Sequence, residues 1–574
     1  MAGLSATIKI AESGLSVQLF SVVPVRRSHS VCAQGGINAA MNLKGEGDST
    51  DIHFDETVYG GDFLANQELP RAMCHAAPSI IHMFDRMGVM FNRTSEGNLD
   101  FRRFGGSLFH RTAYAGATTG QQLMYALDEQ VRRYEVEGLV QKFEGWEFLR
   151  VILDDQGVCR GMVAIHMETM EVRSFPADAV ILATGGPGQV YRWSTNSTIN
   201  TGAAAAAVYQ QGAVYANGEF IQFHPTAIPG TDKMRLMSES ARGEGGRVWV
   251  PKEGKPWYFL EEWYPAYGNL VPRDIASRAI HKVVHELGLG VDGEAVIYLD
   301  LSHIDPEILD RKLGGILEIY EKFVGEDPRK IPMRVFPAMH YSMGGLWVDY
   351  NHMTNIPGLF AVGECDYQYH GGNRLGANSL LSTVYGGLRG GPAASAYANG
   401  LKKYCEEVNS HVFDGTVAQE EETLRDLRGR NGNESAFKLH DELGRVMNKY
   451  VGIVRKEADL KKAVEEVKKL KDRYSNIGVA DTSLQANQTL LFARQFGRML
   501  DLAHVIAQGA QNRKESRGAH YREDYKERND ADFLKTTRAK YTPSGPEFSY
   551  EAVDTNFIKP RPRRYDKTIT RPPL

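Results

Sequence analysis

The run Arg26-Arg27-Ser28-His29-Ser30-Val31-Cys32-Ala33-Gln34-Gly35-Gly36 constrains this chain more than any other stretch of it. One histidine stands between two serines, just ahead of a glycine pair. Small residues there let backbone approach a large flat ligand closely. The imidazole offers a nucleophilic ring nitrogen at that approach. An isolated histidine reads as a satisfied structural residue. This one is not isolated, because part of a dinucleotide-binding start precedes it. Ala6 to Gly14 reads as the helix that follows a glycine-rich phosphate loop, with Gly14 ending it, and Val17–Ser21 reads as the second strand. Against the pattern strand, G-x-G-x-x-G, helix, the first strand and the first two glycines are absent, and only Gly3 corresponds to the third. A misplaced start codon accounts for this at least as well as a shortened protein. Ser21 stands where an acid usually meets ribose hydroxyls.

At 574 residues the chain is too long for one core, so two to four domains are expected. A net charge of -4 offers no global basic field to nucleic acid. The five cysteines, Cys32, Cys74, Cys159, Cys365 and Cys405, form no C-x-x-C pair. That argues against an iron–sulfur or structural zinc site, and no metal ligands are assigned. The odd, scattered count suits a reducing compartment. No apolar run is long enough to span a bilayer, and no signal-peptide core follows the start. Work at a membrane would therefore rely on partner chains.

Along the chain, Gln121–Tyr134 has helical periodicity, with Leu123, Ala126, Leu127 and Val131 on one face. Glu147–Val151 and Gly161–Met167 read as strands of a small sheet. Two apolar strands run into turns: Ala179 to Gly186, ending in a glycine pair, and Ile356 to Glu364, ending in an acid. From Leu401 to Arg528 the chain is charged and helical. After Asp530 it is rich in proline and arginine and is expected to be extended, held by packing.

Five motifs carry polar chemistry in order: Phe223-His224-Pro225-Thr226, Ser238-Glu239-Ser240-Ala241-Arg242-Gly243, Pro272-Arg273-Asp274, His340-Tyr341-Ser342-Met343-Gly344-Gly345 and Gly371-Gly372-Asn373-Arg374-Leu375-Gly376-Ala377-Asn378-Ser379-Leu380. A sixth segment, Gln511 to Tyr521, closes the helical region. Each alone also reads structurally: a surface helical pair for Glu239 and Arg242, a core histidine for His340, turns for the glycines. Together with the His29 segment, their order resembles the flavoprotein subunits of succinate dehydrogenase and fumarate reductase. The resemblance is strongest to the Bacillus-like and epsilon-proteobacterial type, through Thr57 to Asn66 and Phe101 to Gly106.

The resemblance implies an α/β plus α fold. A split FAD-binding two-dinucleotide-fold domain (1–223 and 340–400, with a small excursion about 91–116) would carry an inserted α+β capping domain (224–339). A helical domain (401–529) and a C-terminal arm (530–574) would follow. It implies FAD bound covalently through His29, which raises the flavin potential enough to accept a hydride from succinate. Gly3, Ser28, Ser30, Gly35, Gly36, Gly185, Gly186, Glu364, Asn378, Ser379 and Leu380 would contact the cofactor. Succinate carries two carboxylates, and arginine grips a carboxylate bidentately. Arg374 and His340 would hold one, and His224 and Ser238 the other, serine keeping the hydroxyl where threonine is common. Arg273 would take the proton, with Glu239 and Arg242 relaying it. A guanidinium, with a pKa above about 12, acts as a base only where positive neighbours favour its neutral form. An acid expected to contact FAD is replaced in Thr201-Gly202-Ala203.

The implied partners are succinate or fumarate, an iron–sulfur subunit and a cytochrome b-type membrane anchor. The implied place is the cytoplasmic face of the bacterial inner membrane, without direct insertion and without nucleic acid. Fumarate reduction is the same site run backwards. L-aspartate oxidase is a related enzyme, but its flavin is usually not covalent. An FAD-free assembly subunit is the reading from another class, supported by the absent first strand and by Ala203.

Overall fold

A computed structural model describes residues 1–571; positions 572–574 of the expected arm lie outside the described residues. The fold is built around two parallel strand pairs. Val17–Ser21 pairs with Val140–Glu144, and Val180–Leu182 pairs with Leu359–Ala361. Parallel neighbours need long crossovers, and here the second pair encloses most of the middle of the chain. The Ala2–Glu12 helix, ended by Gly14 at φ +82, lies along the Asn378–Asn399 helix.

The expected second strand has the expected bounds, and the expected helix runs Thr119–Val136 with Leu123, Leu127 and Val131 fully buried. The strand expected over Ile356 to Glu364 is shorter: only Leu359–Ala361 is extended, and Glu364 sits in a single helical turn after it. Trp146–Leu153, Cys159–His166 and Val172–Pro176 form an antiparallel sheet that shares one core with Val180–Leu182 and Ala203–Gln210, while Leu149, Ile152, Val163 and Ile165 join the core of the C-terminal helices.

The middle of the chain leaves along Ile221–Ile228 and returns along Met333–Ser342, and these strands are antiparallel neighbours. The intervening residues form the rest of that sheet and the helices Arg273–His281 and Pro306–Val324. The proposed limits of a capping domain, 224 and 339, thus fall inside one strand pair.

The helices Ser410–Arg428, Ala436–Tyr450, Glu457–Tyr474 and Gln488–Asn512 bury Leu439, Val467, Leu470 and Phe496 in a second core. Asn487 starts the longest by accepting the Leu490 N–H at 2.8 Å. The tail differs from the extended arm expected. Lys535–Lys540 and Glu547–Ala552 make a hairpin that joins the Tyr215–Ala216 strand, and only the proline-rich residues beyond it are irregular. A turn at Thr542–Gly545 between two threonine- and tyrosine-bearing runs explains it.

Candidate active site

The strand pair that opens and closes the middle of the chain brings His224 and His340 together, ring centroids 5.0 Å apart. His224 precedes Pro225, and the residue before a proline is held extended. Its Nδ1 accepts the Thr226 N–H at 3.3 Å, while Nε2 is buried without a partner. Thr195 Oγ1 lies 2.6 Å from His340 Nδ1. Burial, reinforced by Arg273, pushes both imidazoles far below their ordinary range, so both are neutral.

Arg273 is the first residue of its helix, and its Nε and Nη2 both donate to Glu239 Oε2, at 2.8 and 2.7 Å. Arg242 Nη2 and the Gly105 N–H donate to Glu239 Oε1, at 3.1 and 3.0 Å. The Glu-x-x-Arg pair is therefore wholly buried rather than a surface pair. Burial raises the Glu239 carboxyl, but Arg273 and Arg242 outweigh it and hold the group below the usual range, ionised. Backbone encloses this carboxylate: a Cβ on Gly105 would overlap Oε1, and one on Gly376 would lie 2.6 Å from Oε2.

Gln222 ties the two sides together. Its Oε1 accepts from Arg273 Nη1 at 3.2 Å, and its Nε2 donates to Asn373 Oδ1 and to the Arg374 carbonyl. Arg374 lies over the Tyr341 ring at 4.5 Å, with Nε and Nη2 buried and unpartnered. Burial, then Arg273, pushes its guanidinium down to about 9. Ser238 Oγ is buried 2.9 Å from Ser240 Oγ.

The second group of expected residues lies around the helix ends and glycine turns. His29 opens a short helical turn between Ser28 and Ser30, and its Nδ1 accepts the Ser197 N–H at 3.3 Å. Burial, helped by Lys233, lowers its pKa to about 4 and keeps it neutral. The Gly35 carbonyl is held by Arg102 Nε at 3.0 Å, and Gly36 has φ +139. Gly3 lies in its helix against Ala183, which follows the Val180–Leu182 strand, and Leu19 of the Val17–Ser21 strand. Gly185 and Gly186 follow the Val180–Leu182 strand, Gly186 against Glu364, whose Oε1 accepts the Ser342 N–H at 3.0 Å. Burial pushes Glu364 up to about 7 against that amide and Arg374. Asn378, Ser379 and Leu380 start the Asn378–Asn399 helix, whose N-terminus no side chain caps. The Asn378 N–H turns back to the Leu375 carbonyl at 3.3 Å, and the positive end of the helix dipole is left to an acceptor group. Ala203 is buried at a helix start, with no acid nearby in sequence to replace the expected one.

Sequence reading missed Gln222, Thr195 and Lys233, and gave Tyr341 no role of its own although it stands inside the His340 to Gly345 motif. Gln222 adjoins the Phe223 to Thr226 motif, which is the only signal it carries; Thr195 and Lys233 carry none. Among the described residues no cluster of His, Cys, Asp and Glu suits a metal, and no helix is long and apolar enough to cross a membrane.

Residues 1–380 match the FAD binding domain family. With the paired parallel strands and the glycine turns, this makes the chain an FAD-binding flavoprotein. Residues 440–565 match the fumarate reductase flavoprotein C-terminal family. The chain is 65% identical to the succinate dehydrogenase flavoprotein subunit of Bacillus subtilis (strain 168), over 99% of this chain and 97% of that one. It is 37% identical to the fumarate reductase flavoprotein subunit of Haemophilus influenzae, over 98% and 94%. Its structure superposes on the E. coli quinol fumarate reductase chain FrdA with a TM-score of 0.93, at 34% identity and 99% and 97% coverage. The chain belongs to the succinate dehydrogenase and fumarate reductase flavoprotein subunit family.

Proposed function

We propose that this chain oxidises succinate to fumarate as the catalytic flavoprotein subunit of a membrane-associated complex, with FAD attached through His29. The observation that carries this reading is a set of buried groups without partners, Arg374 Nε and Nη2 and His224 Nε2, near enough for the Arg374 charge to help lower the His224 pKa. Groups left unpaired in a dry site cost free energy unless a ligand meets them. A dicarboxylate meets them, with Arg374 and His340 on one carboxylate and His224 and Ser238 on the other. Arg273 accepts the proton, and Glu239 and Arg242 form its relay.

The residues present also fit FAD. The uncapped helix start at Asn378, Ser379 and Leu380 suits the acceptor edge of a flavin. Glu364, a buried carboxyl with one amide donor, suits a cofactor hydroxyl. Gly3, Gly185 and Gly186 flank the strand ends, and Ser28, Ser30, Gly35 and Gly36 frame His29. Bound FAD supplies the two-electron acceptor. A neutral His29 is the nucleophilic form that an 8α linkage requires. Electrons pass on to an iron–sulfur subunit and a cytochrome b-type anchor, which holds the protein at the cytoplasmic face of the inner membrane. The 224–339 stretch serves as the cap, between the two parts of the FAD-binding domain and ahead of the helical domain and arm. Fumarate reduction would use the same groups in reverse.

The test is denaturing the holoprotein in acid and looking for yellow fluorescence that stays with it on a gel. His29→Ser is expected to abolish that fluorescence, retain FAD non-covalently and lose succinate oxidation while some fumarate reduction survives. Undiminished succinate oxidation in this variant would contradict the potential argument.

A further inference from the structure

The residue after Arg273 is Asp274, and its carboxylate is not used by the site. Arg563, almost three hundred residues later in the proline-rich tail, donates to both of its oxygens, Nη1 to Oδ2 at 2.5 Å and Nη2 to Oδ1 at 3.0 Å. Neither side chain is open to solvent: Asp274 is 0% and Arg563 6% exposed. Arg278 adds a longer contact to Oδ2 at 3.4 Å. Burial would raise the Asp274 carboxyl, but Arg563 and then Arg278 hold it below the usual range, so the pair is ionic.

The tail around Arg563 is fixed on its other side to the Thr50–Gly60 helix. Arg561 Nη2 donates to both oxygens of Asp55 at 2.8 and 2.7 Å, and Arg571 reaches Glu56. Tyr59 Oη donates to the Arg564 carbonyl at 2.9 Å. The Tyr565 ring is buried between Tyr59 and Tyr267, with centroids 5.6 and 5.0 Å away. One short segment thus grips the helix that bears Arg273 and, at the same time, a helix from the first part of the chain. The Arg273 helix has no side-chain cap of its own at its N-terminus. The tail supplies the anchor that the terminus lacks.

We propose that Arg563 is a positioning residue: by chelating Asp274 it fixes the first turn of the Arg273 helix, and so sets the placement of Arg273 against the Arg374 side of the site. This rests on reading Arg273 as the proton acceptor. A fork with two donors can fix a carboxylate in orientation, which a lysine ammonium cannot. Misplacement by about 1 Å costs up to about a hundredfold in rate.

The test compares Arg563→Lys, Arg563→Ala, Asp274→Asn and Arg273→Lys as flavin-loaded holoenzyme. Each is assayed for kcat and KM with succinate and with its methylene-deuterated form. For Arg563→Lys the expected result is a kcat lowered about tenfold to a hundredfold. KM should stay within about threefold, because carboxylate binding is untouched. The deuterium effect should grow as bond breaking becomes fully limiting. Guanidinium chloride at millimolar concentration should partly restore Arg563→Ala. Wild-type kcat and an unchanged isotope effect in a flavin-loaded Arg563→Lys or Arg563→Ala would overturn the proposal. So would a kcat loss that merely tracks flavin loss. If the Arg563 variants do not fold, Asp274→Asn decides: the same kcat-selective loss supports the proposal, and wild-type kinetics overturn it. Arg273→Lys separates the two layers, since substantial turnover there refutes the role of Arg273 itself, whatever Arg563 does.

Discussion

Replacing Glu239 by glutamine keeps the shape of the side chain and removes one charge. The carboxylate accepts from Arg273 twice on Oε2, and from Arg242 and the Gly105 amide on Oε1. An amide has one acceptor oxygen. If that oxygen faces Arg273, the NH2 group confronts the donors of Arg242 and Gly105; if it faces them, the NH2 confronts both Arg273 donors. Either orientation leaves a buried guanidinium without its counter-charge. Breaking a buried pair by removing one partner costs about 3–5 kcal/mol. If this cost falls on the placement of Arg273 in the transition state, turnover drops by about a hundredfold to a few thousandfold, at 1.36 kcal/mol per factor of ten. The assay is succinate-dependent reduction of a dye acceptor, normalised to flavin released from the same sample, with thermal melting measured alongside. Flavin-loaded Glu239→Gln turning over within about threefold of the parent would refute the reasoning, because it would mean that Arg273 needs no fixed carboxylate.

Three further outcomes are expected. In Gly105→Ala the new Cβ overlaps Glu239 Oε1, and kcat should fall by an amount equivalent to about 1–3 kcal/mol; unchanged kinetics would show that the carboxylate can shift freely. The Arg374 guanidinium is pushed down to about 9, and only its cation holds a carboxylate. kcat/KM for succinate should therefore be level below that pH and fall as pH rises through it, since kcat/KM reports the free enzyme. A profile level well beyond pH 9 would argue against Arg374 as a carboxylate ligand. His29→Ser, tested by gel fluorescence as described above, separates covalent attachment from cofactor binding.

The parts of the fold legible in the sequence are those set by local pattern. Val17–Ser21 reads as the strand after a helix ended by Gly14, Gln121–Tyr134 reads as a helix from its apolar period, and the structure keeps both. The expected site residues were legible as motifs, and the structure gathers Arg273, Glu239, Arg242 and Arg374 into one buried network linked by Gln222. What the sequence hid depends on partners distant in the chain. Arg513, Arg517 and Arg522 lie in and beside the segment that closes the helical region, and nothing in that segment marks them as buried, yet all three are, with Glu219, Glu515, Glu457 and Asp62 among their partners. A long cation has no local signature of burial, because its counter-charge decides whether burial is affordable. Arg563 was hidden in the same way, in a tail whose composition suggested only an extended arm. The hairpin in that tail was missed because the proline and arginine content beyond it set the reading of the whole tail, although the Thr542–Gly545 turn and its two six-residue flanks carry a local signal.

The side-by-side entry and exit of the middle of the chain bears on the order in which the protein folds. Leu359–Ala361 must find Val180–Leu182 across roughly 180 residues, and the entropy of closing such a loop grows as the logarithm of its length. If Ile221–Ile228 and Met333–Ser342 join first, everything between them ceases to count as free chain. The remaining slack is roughly a third as long, and closure becomes easier by about 1 kcal/mol. The inserted stretch is then a folding nucleus for the halves it interrupts, and destabilising it should slow the acquisition of the parallel core as well as its own.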